Sequence, residues 1–292
     1  MTTTQKNKDS SLVRALINGS PQVVKRLLKE GADANAQGGE FNSPALVLAM
    51  LGSQAVRVKN IEALLAHGAN PNWVCPEKKT HVSPFMRACM RGDNQMVSAM
   101  LDSSGSVKVD LLLADDHGWI PSMAAALNCS TDVLAKMQAL FERVTLPLQP
   151  DLPRHHLWTC ADQHGRSAIM QISEQANLRW ILGQNFKDQN ELLEARDKEG
   201  KTALWIAVLA NDSEHVKTLL GLGTRTDVKD ASGQSLLEMA SRRHVAPNEE
   251  AIRANIMTDL RAFDSARAAV ASIDEVMALH PKSPPSARAV AF

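Results

Sequence analysis

The sequence predicts an all-α solenoid of stacked helical pairs, joined by short β-hairpin loops and closed by C-terminal capping helices. Three observations carry that prediction. A turn-and-helix pattern that opens with Asp197, Gly200 and Thr202 returns with Asp230, Gly233 and Ser235, and the shift between the copies is 33 residues. A second pattern, a β-branched residue followed by a Leu-Leu pair and then glycine, recurs at 24–31, 61–68 and 216–223. Finally, 44% of the 292 residues are apolar, ample for a core that runs the length of a stack. A fixed period of roughly 20 to 50 residues marks a repeat architecture before any single helix is assigned.

In chain order, residues 1–9 are polar and read as a flexible N-terminus. The first unit starts near residue 10, and Val24, Leu27, Leu28 and Gly31 mark its second helix. Ser43 and Pro44 open the next unit, closed by Ile61, Leu64, Leu65 and Gly68. Ser83-Pro84 up to Ala88 opens another, and Asp115, Gly118 and Pro121 the one after. A weaker copy runs from Asp162, Gly165 and Ser167 to Trp180 and Leu182, with a shortened second helix. The copies at Asp197 and Asp230 complete about seven units over 10–262. Each residue type has a physical reason. Aspartate and Ser or Thr satisfy backbone donors at the turn and the helix start, and Pro84 and Pro121 suit a first helical turn, where no donor is needed. Ala88, Ala125, Ala207 and Ala240 let neighbouring first helices approach, while the Leu-Leu pairs form the apolar stripe between units. Gly31, Gly68 and Gly223 permit left-handed helix ends. Beyond the last unit, Ile256, Leu260, Phe263, Val270, Ile273 and Val276 recur at helical spacing. Asn248 is a candidate N-cap and Ser272 to Glu275 a capping box, so 248–280 reads as two capping helices, with a mobile tail over 281–292.

These motifs closely resemble the ankyrin pattern D-x-x-G-x-T-P-L-H-x-A followed by V-x-x-L-L-x-x-G-A, so the chain is identified as a degenerate, bacterial member of the ankyrin-repeat family. The histidine of T-P-L-H is replaced by Leu46, Met86, Met123, Met170, Trp205 and Glu238, which implies modest stability. Spacing also varies: Pro44 to Pro84 is 40 residues, Pro84 to Pro121 is 37, and Pro121 to Ser167 is 46. The largest excess is a proline-rich insertion near 143–160, where Pro147, Pro150 and Pro153 exclude a helix interior. A second insertion, 184–190, lengthens the hairpin before the best-matched unit. Insertions of this kind gather on one face of a solenoid, often the binding face.

Composition narrows the function classes. Lys plus Arg and Asp plus Glu are 32 each, so no global field draws the chain to nucleic acid or anionic lipid. No run approaches the ~20 apolar residues that cross a bilayer, and the first residues hold no apolar leader. Cys75, Cys89, Cys129 and Cys160 lie far apart, which fits reduced thiols in a cytoplasm. His155, His156 and Cys160 are the nearest approach to a metal set, but adjacent histidines do not face one ion and no typical spacing completes them, so no metal is expected. Nothing marks a nucleophile, a phosphate loop or any cofactor.

The resemblance implies a non-enzymatic scaffold or adaptor that binds a protein partner on a concave face built from hairpin tips and first helices. Residue by residue, the tip positions are Lys79, Thr80 and Val82; Asp116, His117 and Trp119; Gln163, His164 and Arg166; Lys198, Glu199 and Lys201; and Ala231, Ser232 and Gln234. The first-helix positions are Met90 and Arg91, Leu127 and Asn128, Glu174 and Gln175, then Arg242 and Arg243. Trp180 and Trp205 read as core; Trp119 and Trp158 stand open between packing and contact. Two alternatives stand beside this reading: a bacterial secreted effector or toxin-neutralising partner, delivered into a host cell and using the same surface, and an enzyme with its site in the insertion or the C-terminal helices.

Overall fold

A computed structural model describes residues 3–74, 81–103, 105–149, 151–153, 155–184, 186, 189–242 and 249–279, the last nine by backbone alone. The chain divides into two compact units, Met1–Ala203 and Leu204–Phe292.

The first unit is built from helix pairs. They are α1 (Thr3–Ile17) with α2 (Pro21–Lys29), α3 (Ala45–Leu48) with α4 (Gln54–Ala66), α5 (Pro84–Met90) with α6 (Asn94–Leu101), and α7 (Pro121–Asn128) with α8 (Thr131–Leu140). First helices pack on first helices, α1 on α3 and α5 on α7, and second helices form a continuous row from α2 through α4 and α6 to α8. Local chemistry starts these helices where the sequence places them. The Ser83 hydroxyl accepts from the Met86 N–H at 3.1 Å ahead of Pro84, and Asp93 accepts from the Met96 N–H at 3.2 Å to start α6. The substituted histidine positions Leu46, Met86, Met123 and Met170 are all buried and serve as core. The first two pairs are joined by a hairpin of β1 (Gln37–Gly38) and β2 (Ser43–Pro44), paired antiparallel with Gln37 opposite Pro44.

Several sequence expectations are corrected here. Residues 3–9 are helical: they form the first turns of α1, where the Asp9 carboxylate accepts from the Asp33 N–H at 2.8 Å and from Gln5 at 2.9 Å, and Gln5 also donates to the Gly31 carbonyl. The fifth repeat is truncated in its first helix, a 3₁₀ turn at Ala168–Met170, whereas its second helix, α11 (Gln175–Leu182), is full. Buried Asn177 holds α11 in place by donating to the Ala126 and Cys129 carbonyls at 2.9 and 2.8 Å.

The insertion is largely helical. α8 continues through a π turn, Phe141–Thr145, into α9 (Leu146–Leu148), with Pro147 in that last turn; the widened turn lies where the proline ring excludes a regular α-helical carbonyl contact. α10 (His156–Thr159) then packs on α7, on the 3₁₀ turn and on α12 (Gln189–Glu194), which forms within the second insertion. Leu157 and Trp158 are wholly buried, so Trp158 is core and not a surface contact. Its indole N–H donates to the Gln138 side-chain oxygen at 2.7 Å, its ring meets Trp180 edge-on at 5.9 Å, and the Ser122 hydroxyl donates to the Leu157 carbonyl.

The second unit holds α13 (Ala203–Leu209, its first residue closing the first unit), α14 (Ser213–Gly221), α15 (Leu236–Arg242) and α16 (Glu250–Leu279). α16 is one helix of 30 residues, not two, since it contains neither glycine nor proline and Ser272 lies inside it. It seals the unit by packing on α14 and α15, with Ile256 and Leu260 buried. Trp205 is buried in α13. The proposed tail at 281–292 lies outside the described residues.

Candidate partner-binding site

Three hairpin tips of the first unit share one internal structure. At each, an aspartate closes the turn. The Asp115 carboxylate accepts from the N–H groups of His117 and Trp119, both at 2.9 Å; Asp162 does the same for His164 and Arg166 at 2.7 and 2.9 Å, and Asp197 for Glu199 and Lys201 at 2.9 and 2.8 Å. Backbone bonds then join tip to tip. The Gln163 N–H donates to the His117 carbonyl and the Lys198 N–H to the His164 carbonyl, each at 2.8 Å. Gly118 and Gly165 make that approach possible: their φ angles are 77° and 79°, and a Cβ would stand 2.9 Å from the amide nitrogen of the next tip in each case. The result is a ribbon of three tips with fixed spacing.

The four-residue turn sorts its side chains into two kinds. Aspartate and glycine are spent on the turn itself, while the two residues between them point to solvent: Asp116 and His117, Gln163 and His164, Lys198 and Glu199, all exposed. Gln163 Nε2 lies 3.2 Å from His117 Nδ1 and 3.3 Å from His164 Nε2, a polar chain across two tips. Trp119 is half-buried. Asp116 is engaged by His81, which holds its carboxyl below the ordinary aspartate value. Arg166 is also engaged: its guanidinium reaches Asp162 at 2.9 and 3.0 Å. Burial works against the Asp162 carboxylate, yet the N–H groups of Arg166 and His164 together with that guanidinium bring its pKa below the ordinary value. Lys201 pairs with Glu199. Of the cationic tip residues, Lys198 is the one with no ion pair among the described residues.

The remaining sequence-predicted positions lie on other elements. Arg91 is exposed at the end of α5 beside Met90, and Leu127 and Asn128 end α7. Glu174 and Gln175 do not belong to a first helix, because they start α11, a second helix. Gln234 and Arg242 belong to the second unit, where the Asp230 carboxylate accepts from the Gln234 N–H at 3.0 Å and Arg242 is exposed. Lys79, Thr80 and Arg243 lie outside the described residues. Sequence reasoning missed an apolar cluster at the first two repeats. Phe41 is 68% exposed at the tip of the β1–β2 hairpin, with Ile17 and Leu51 each 45% exposed nearby on α1 and after α3. The available signal was a phenylalanine inside a turn containing Gly38 and Gly39.

The groups weighed for chemistry have structural uses. His155 is buried and bonded to Glu191 at 2.8 Å with its ring against Phe186. Burial pushes the Cys160 thiol up to about 11, and burial together with the neighbouring Cys129 raises Cys89. Neither is a ready thiolate at neutral pH. Among the described residues, no three His, Cys, Asp or Glu side chains gather around a point where an ion could sit, and no helix is long and apolar enough to cross a membrane.

No family model matches the chain. Among curated proteins, it is 35% identical over 118 residues to cyclin-dependent kinase 4 inhibitor B of Rattus norvegicus, an alignment spanning 37% of this chain and 85% of that protein. It is 30% identical over 122 residues to the inactive serine/threonine-protein kinase TEX14 of Mus musculus, covering 42% of this chain but 8% of that much longer protein. Among solved structures, the ankyrin repeat domain of Bcl-3 aligns with a TM-score of 0.60 at 18% identity, over 86% of this chain and 97% of that one. This last likeness concerns the fold alone.

Proposed function

The chain belongs to the ankyrin-repeat family, and on that premise we propose that it is a non-enzymatic protein-interaction module whose first unit holds a folded partner on the tip ribbon. The observation that carries this reading is the ribbon itself: three tips locked by backbone hydrogen bonds, presenting His117, Gln163, His164 and Lys198 outward at fixed separations with half-buried Trp119 beside them. A preorganised row of polar side chains loses little conformational entropy on binding, and its mixed character suits a protein surface better than a small ligand, which takes a concave apolar pocket. The likeness to the rat protein, by name an inhibitor of a protein kinase, supports a protein partner.

A photo-cross-linking amino acid at position 163 or 198 in cells of the source organism tests the proposal. A discrete adduct with one protein is expected from both positions, competed by excess unlabelled chain and weakened by Trp119→Ala. Equal labelling from the exposed α2 position Lys25, or adducts that Trp119→Ala leaves unchanged, would remove the ribbon as the binding surface.

A further inference from the structure

The first two repeats carry a cleft that the tip ribbon does not use. Ile17, Phe41, Val47, Leu48, Leu51 and Arg87 line a space of about 460 Å³ between the end of α1, the β1–β2 hairpin, α3 and α5. Its floor is close-packed. Gly39, at φ 74°, lets the hairpin lie over α1 and α3, where a Cβ would stand 3.5 Å from Leu48 and 3.9 Å from Ile17. The rim is unusual because large apolar side chains stay in water: Phe41 is 68% exposed, Ile17 and Leu51 45% each. Exposed apolar residues are ordinary when scattered, but several around one concavity mark an interaction site. The volume falls in the range of roughly 300 to 1,000 Å³ typical of ligand sites, room for bulky side chains.

Charge selects the occupant. Arg87, exposed on α5, lines the cleft. Its guanidinium has no ion pair or side-chain hydrogen bond among the described residues, in contrast with Arg57 on α4, which Asp93 neutralises at 2.6 Å. Glu40 stands at the hairpin rim. The cleft therefore offers an apolar centre with an available cation at its α5 end and an anion at its hairpin end, and a planar guanidinium pairs with a carboxylate in two parallel bonds.

We propose that this cleft captures a short linear segment of a protein partner, one that inserts one or two bulky apolar side chains between Phe41 and Leu51 and places an acidic residue against Arg87. The proposal rests on the interaction-module reading but on residues separate from the ribbon, so a peptide and a folded surface engage the same unit at two places.

The test is selection of a phage-displayed library of random dodecapeptides on the full chain, with synthetic copies of the enriched peptides titrated by fluorescence anisotropy. The expected consensus has a bulky apolar pair flanked on one side by Asp or Glu, and Phe41→Ala and Arg87→Glu should each weaken binding by about tenfold or more. Both residues are exposed, so circular dichroism should show both variants folded. Trp119→Ala should leave peptide affinity unchanged. No enrichment, a consensus without acidic residues, or affinity indifferent to Arg87→Glu would each overturn the proposal. Concentration-dependent dimerisation abolished by Phe41→Asp would assign the cleft to a second copy of the chain and overturn it equally. Cross-links from the ribbon without selected peptides refute the cleft alone; selected peptides without ribbon cross-links refute the ribbon alone.

Discussion

Replacing Trp158 tests whether the insertion is core or binding loop. The indole is wholly buried, donates to Gln138 at 2.7 Å and packs edge-on against Trp180. Trp158→Ala removes the whole ring from a site framed by α7, α10 and α12, where little collapse is possible, and should cost about 3 to 5 kcal/mol of transfer and cavity energy. Trp158→Phe keeps much of the apolar area but removes the N–H from which buried Gln138 accepts at 2.7 Å. Loss of a buried hydrogen bond costs about 0.5 to 1.5 kcal/mol and the smaller ring adds a packing loss, so this change should cost about 2 kcal/mol in total. Adding Gln138→Leu to Trp158→Phe removes the other partner of that hydrogen bond, and the double variant should regain about 1 kcal/mol relative to additivity. Urea unfolding followed by circular dichroism reads all three. A Trp158→Ala protein less than 1 kcal/mol below the parent, with partner binding lost, would refute the packing argument and return the insertion to the binding surface.

Three further outcomes follow from the same geometry. Gly118→Ala and Gly165→Ala put a Cβ 2.9 Å from the next tip's amide, whereas Gly31→Ala, at a similar positive φ, meets nothing within 4 Å. The first two should lower stability by about 2 to 4 kcal/mol and the third by about 1 to 2, read from urea midpoints. Asp162, whose folded pKa lies below the ordinary 3.8, stabilises fully above that value and progressively less as pH falls through the folded one. Thermal melts below pH 4 should therefore drop, and Asp162→Asn should be less stable at pH 7 with a flatter acid limb. A chelator should leave the melting temperature unchanged.

How much of this was legible depended on whether the determining contact was local. The turn aspartates, the cap at Ser83 and the prolines at helix starts act within a few residues, and the sequence places those helices where they occur. Residues 3–9 looked flexible because Asp9 gains its meaning only from the Asp33 amide, 24 residues away. The prolines at 147, 150 and 153 suggested an irregular loop, but Pro147 sits at the edge of a π turn that absorbs it, and Trp158 is buried by elements from α7 to α12 that no local pattern connects. Ser272 read as a helix start because it carries a capping sequence, and tertiary context overrides a cap that nothing upstream breaks.

The tip motif explains why charge alone misdirects a search for contacts. Arg166 and Lys198 stand one repeat apart in comparable turns, and sequence gives them equal weight. They differ in position within the turn. Arg166 follows the glycine and folds back on its own aspartate, so its guanidinium stabilises the tip and is neutralised there. Lys198 precedes the glycine, donates its amide to the previous tip, and leaves its ammonium in solvent. Reversal of Arg166 would leave Asp162 facing a second anion and damage the turn; reversal of Lys198 would change only the surface. With Lys198→Glu, a partner held on the ribbon should bind at least about tenfold more weakly at low salt, with the deficit shrinking as added salt screens it. Surface plasmon resonance at two ionic strengths measures this, and a loss independent of salt would mean that Lys198 acts through packing and not charge.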